Sequence, residues 1–313
     1  MRKTMHAAAA LCAAMSVGFA LSGCPTQPSY ASTITPIYAA TSANGLFVYN
    51  GTNWTNYTTA NTGSGLASST LSSVVISSSG AGAIVLAGGN AGVSEFNGSA
   101  WAQLATGLGA LPVNSLIIGT NLYASTAGGI SILNADGTTW TNNGSVTPVN
   151  DVYSLGTYTF VAADAGGLYV YNGTSQQAPS PYSPGTIVSG SGSVTAVVVD
   201  SSMDIFAGTD KGLGISGSAI GLSFGTNQLP VSTHVYNLYI DTSGNLYAAT
   251  AGGLYIYNLY GAAAPQGFLD MPAYCVCVDG AGTIYAGTDT GLRVSTNGGS
   301  SWTMKLPTRS LSD

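Results

Sequence analysis

Charge is scarce in this chain. Only 6% of its 313 residues are Asp, Glu, Lys or Arg, and six basic residues stand against twelve acidic ones. Phosphate recognition needs clustered Lys and Arg, so nucleic acid is disfavoured as a partner. Histidine occurs only at His6 and His234, which excludes a multi-histidine metal site and leaves a serine triad one candidate base. Glu95 is the sole glutamate, so a pair of glutamates for glycoside hydrolysis is missing too. Cysteine appears four times, at 12, 24, 275 and 277, too sparsely for a disulfide framework. What the chain does have is Gly, Ser, Thr, Asn and Ala, with regularly placed Tyr, Leu, Ile and Val that argue for a folded core rather than disorder.

The start reads MRKTMHAAAALCAAMSVGFALSGC. Arg2 and Lys3 form a basic beginning, and residues 7–21 form an apolar run too short to span a bilayer. Leu21-Ser22-Gly23-Cys24 resembles the lipobox of bacterial lipoproteins. That resemblance implies cleavage before Cys24 and acylation of its thiol and new amino terminus. Pro25 follows where an Asp would signal inner-membrane retention, so the outer membrane is expected. The division is then 1–23 signal peptide, 24–35 lipidated tether and 36–313 folded domain. With Arg2 and Lys3 removed, twelve acids and four bases leave a net charge of −8.

The domain repeats itself. IYAATSANGLFVYNG, TFVAADAGGLYVYNG and LYAATAGGLYIYN are three of seven strings that align on Gly45, Gly92, Gly129, Gly167, Gly212, Gly253 and Gly291. The spacings average 41 residues. Each string is an alternating strand, a Gly-rich turn and a second strand, and several end in an Asn-Gly or Asp-Gly turn. A short apolar run precedes most of them, and a Trp-led strand often follows, as in NWTNY, AWAQL, TWTNN and SWTMK. Four short antiparallel strands every forty-odd residues predict an all-β fold, a seven-bladed β-propeller. Blade one lacks its upstream run. LPTRSLSD at 306–313 matches the start of LPVNSLIIG at 111–119, so the C-terminal strand is expected to pair into blade one and close the ring.

Ser295 and TNGGSSW at 296–302 resemble the Asp-box turn of sialidase-like propellers, with Asn297 in place of Asp, and NADGTTW at 134–140 is a degenerate copy. AGTDTGL and GSGLASSTLSSVVI are similar to the sensor propellers of two-component regulators. These resemblances are specific for fold and weak for function.

Candidate chemistry is thin. Sialidases clamp a carboxylate with three arginines, and only Arg293 and Arg309 remain after cleavage. Cys275 and Cys277 lie two apart on a predicted inner strand, about 7 Å between Cα atoms, which suits two small buried side chains better than a disulfide. Asp164, Asp210 and Asp289 are placed in turns between second and third strands, and Asp200, Asp204, Asp241 and Asp279 in turns between first and second strands, on opposite rims. Turn formation is the ordinary role of such residues. A Ca²⁺ site would need several oxygens converging from neighbouring blades, and no cofactor is expected. The expected binding surface is the rim with Asp164, Asp210, Lys211 and Asp289, joined by Tyr182 and Tyr260 on the longer loops. The function this supports is a lipid-anchored, non-enzymatic module binding a protein or glycan at the cell envelope. A divergent sialidase-like enzyme and a structural surface component are the alternatives.

Overall fold

The computed structural model describes residues 10–12 and 36–307, except for 78–83, 105–106, 109–110, 120, 145, 174, 178–181, 218–223, 225–232, 260–265 and 269–270. Seven antiparallel sheets follow one another around a ring. Blade two shows the pattern: Leu71–Ser77 innermost, then Ile84–Gly89, Gly92–Phe96 and Trp101–Gln103 outermost. Blades three, four, six and seven begin at Val113, Val149, Val235 and Ala273 and have the same order. Blade five has three strands, Val194–Val199, Ile205–Thr209 and Gly212–Ser216, with Ser216 bridged to Phe224 where an outer strand would lie.

A recurring turn explains why the sequence repeats. Thr126, Thr209, Thr250 and Thr288 end the second strands and are buried, and each hydroxyl donates to a glycine carbonyl three residues on at 2.8–2.9 Å. The glycines in question are Gly129, Gly212, Gly253 and Gly291, from the aligned set. All seven aligned glycines have positive φ, from 78° to 148°. At Gly45 and Gly167 the need is double. The backbone is left-handed, and a Cβ would strike the carbonyl oxygen of Tyr57 or Tyr182 on the neighbouring outer segment.

The core is divided. Seven hydrophobic clusters each lie between two adjacent blades, for example Phe160 and Leu168 of blade four against Val197 and Ile205 of blade five. One blade alone therefore leaves both faces uncovered, and the ring covers them all. The cluster between blades seven and one is the smallest. It comprises Cys277, Tyr285, Leu292 and Val294, packed by Ile37 and Trp54.

That junction is also where the expected closure is not seen. The innermost place in blade one is held by Ala10–Cys12, paired with Ile37–Ala40. Leu306 and Pro307 instead pair with Leu292 and Gly291 in the outer strand of blade seven. Residues 308–313 lie outside the described residues.

Candidate functional site

Each inner strand of blades two to seven carries a register shift near its start, at Ser72, Asn114, Asn150, Thr195, Tyr236 and Tyr274. The first four do one job. Ser72, Asn114, Asn150 and Thr195 each donate to a backbone carbonyl of the next blade: Val113, Val149 (2.7 Å), Val194 (2.8 Å) and Val235 (2.6 Å). The result is a belt of blade-to-blade hydrogen bonds around one mouth of the central channel.

Blades six and seven break the belt. Tyr236 packs at a tilt against His234 with ring centroids 4.5 Å apart, and against Tyr274 at 4.9 Å. The Tyr274 hydroxyl donates to Asp289 Oδ1 at 2.7 Å. Asp210 and Lys211 act electrostatically on His234 from blade five. Burial lowers the His234 pKa, Asp210 opposes that and Lys211 adds to it, so the imidazole stays neutral to a pH below its ordinary range. Burial, then the charge of Asp289, raises the Tyr236 pKa. Tyr236 is exposed, at 36%. Asp210, Lys211 and Asp289 are thus joined into one surface by His234, Tyr236 and Tyr274, aromatic groups that were not foreseen as binding residues. Their signal is legible once the repeats are aligned, because the position reads Ser, Asn, Asn, Thr and then Tyr, Tyr.

The other expected site residues fall differently. Asp164 is exposed in the corresponding turn of blade four, one blade back from Asp210. Tyr182 is not a surface residue. It is 6% exposed, its backbone exchanges hydrogen bonds with Leu168, and its ring meets Phe224 edge-on at 5.8 Å. Tyr182 continues the outer edge of blade four beyond Ser175–Gln176, which is why loop length misled. Tyr260 and Cys24 lie outside the described residues. Cys275 and Cys277 are buried and not joined in a disulfide.

The opposite rim shows acids at work as turn formers. Asp200, Asp241 and Asp279 each accept two backbone N–H groups at 2.8–2.9 Å through Oδ1. The second oxygens of Asp241 and Asp279 accept the Tyr247 and Tyr285 hydroxyls at 2.9 and 3.0 Å. In blade seven, Asn297 Oδ1 accepts the Ser301 N–H at 2.9 Å, and Trp302 Nε1 donates to Gly299 at 2.9 Å. An amide oxygen is enough to form that turn. Among the described residues no three His, Cys, Asp or Glu side chains gather as a metal site.

No family model matches the chain, and no curated protein matches it. Solved structures do. The extracellular domain of BT4673 from B. thetaiotaomicron, assigned as a hybrid two component system, aligns with TM-score 0.66 and 20% identity over 84% of this chain and 37% of that one. PorZ of the Porphyromonas gingivalis type-IX secretion system aligns at 0.60 and 16%, over 84% and 45%. The WD40 propeller of Doa1 aligns at 0.62 and 11%, over 83% and 87%. The chain thus spans less than half the length of the two bacterial structures. These likenesses show a β-propeller fold.

Proposed function

We propose that this chain is a lipid-anchored, non-enzymatic propeller of the bacterial envelope that binds a protein or glycan partner. Its binding surface is the rim carrying Asp210, Lys211, His234, Tyr236, Tyr274 and Asp289. The observation that carries this reading is the break in the repeat. Four blades use the bulge position to bond to their neighbour, while blades six and seven place tyrosines there, one of them exposed. A packing role shared by repeats needs no such exception, whereas clustered aromatics flanked by single charges suit a docking surface. The propellers it resembles include an extracellular domain and a bacterial surface component, which supports an envelope location. The enzyme alternative draws little support. Asp241 and Asp279 have both oxygens engaged by their own blades, leaving neither disposed as acid or nucleophile.

The test is site-directed photo-crosslinking in native envelopes. A crosslinking amino acid at position 236 is expected to give a discrete adduct. The same group at Ile118, an exposed residue of the opposite rim, is expected to give none. Adducts from 118 and not 236 would place the partner on the other face.

A further inference from the structure

The inner strands of blades two to seven enclose a channel of about 510 Å³, within the range of small-ligand sites. Immediately after the bulges of blades two, three, four and six, Ser73, Ser115, Asp151 and Asn237 occupy equivalent places and line it. Their shared task is to hold the next blade. Ser73 Oγ accepts the Leu116 N–H at 3.0 Å, Asp151 Oδ2 that of Val197 at 3.1 Å, and Asn237 Oδ1 that of Val276 at 3.1 Å. A hydroxyl and an amide do this in blades two and six without charge. The negative charge of Asp151 is therefore surplus to its structural role. Its partners are neutral: Val197 N–H, the Ser115 hydroxyl and the Val152 N–H. No Lys, Arg or His is among the described residues lining the channel. Burying a carboxylate without a counter-charge is costly, and here burial raises its pKa.

We propose that the channel binds a small organic monocation, a protonated amine on an apolar body, with the Asp151 carboxylate as counter-ion. Three features match that ligand. Tyr153 and Tyr239 line the channel two residues beyond Asp151 and Asn237, where aromatic faces can attract an ammonium group. Val75, Ile117 and Val198 supply apolar wall at the same depth. Asp241 and Asp279 at the far mouth, on a chain with net charge −6, make the passage attractive to cations. A divalent metal fits less well, since no second carboxylate stands beside Asp151 in that girdle and no three-ligand group exists among the described residues. This site is separate from the rim surface.

The experiment is titration of the intact chain with butylammonium and with butanol as its uncharged counterpart, followed by methyl NMR. Butylammonium is expected to shift Val152, Val198, Leu238 and Val276 methyls at concentrations where butanol does not. Asp151→Asn is expected to weaken binding about tenfold or more, as loss of a buried charge partner should, while Asp164→Asn leaves it unchanged. Equal shifts with both probes, or none at the channel methyls, would overturn the proposal in the unmodified protein whether or not the variant folds. Shifts produced equally by KCl would reassign the site to an inorganic cation and overturn the amine.

Discussion

Asp151 carries two physical consequences at the scale of one residue. Its folded pKa is raised above the unfolded value near 3.9, so the native state holds its proton more tightly. The stability associated with that proton is present at low pH and is lost as pH rises from the unfolded pKa through the folded one. Asp151→Asn keeps an acceptor for Val197 N–H and removes the titration. Its melting temperature relative to the parent is therefore expected to climb between pH 4 and pH 8, by about 2–4 °C for each kcal/mol recovered. A difference that is constant with pH would show that the carboxylate does not titrate there. Thr250 is the second case. Its buried hydroxyl donates to Gly253 O at 2.8 Å and accepts the Gly252 N–H at 3.1 Å. Thr250→Val keeps the shape and leaves both backbone groups short of a partner. Urea unfolding is expected to show a loss of about 1–3 kcal/mol.

At the scale of the element, blade one decides whether the ring is closed. Its innermost strand, Ala10–Cys12, belongs to the segment read as a signal peptide. Cleavage before Cys24 would take that strand away and bare the edge of Ile37–Ala40, a ready site for unwanted strand pairing. The C-terminal segment remains the expected replacement. In a mature chain of 24–313 the amides of 37–40 are expected to exchange slowly with deuterium. In 24–307 they are expected to exchange fast. Equal rates in the two would mean that another segment closes the ring.

The whole molecule is a ring with two unlike rims and few charges. On one rim two carboxylates, a lysine and clustered aromatics come together. On the other, aspartates are consumed in their own turns. Anchoring by Cys24 would hold this ring at a membrane through acyl chains contributing about 0.8 kcal/mol per buried CH₂. Cys24→Ser is expected to move the protein from the membrane fraction to the soluble fraction, read by fractionation and immunoblot. Among the described residues no helix is long and apolar enough to cross a membrane, so retention of the variant in membranes would point to a different means of attachment.

The repeat was legible in the sequence because its cause is local. A buried Thr three residues before a positive-φ Gly makes the same turn wherever it occurs, and the alternation of apolar residues needs only the two-residue period of a strand. Four blades share that Thr turn, and seven aligned glycines at a spacing near 41 determine the blade count before any long-range contact is known. Turn aspartates such as Asp241 and Asp279 were legible for the same reason. The partners of side chains that reach between blades were not. Asp151 and Val197 are 46 residues apart in the chain, and only the ring brings them together. Tyr182 looked like a loop residue until the loop folded back on Leu168. His234, Tyr236 and Tyr274 become one surface because neighbouring inner strands converge on the channel, a distance that tertiary structure alone sets. The inner edge of blade one is likewise a tertiary matter, since an open strand edge accepts whichever segment geometry delivers to it, here Ala10–Cys12.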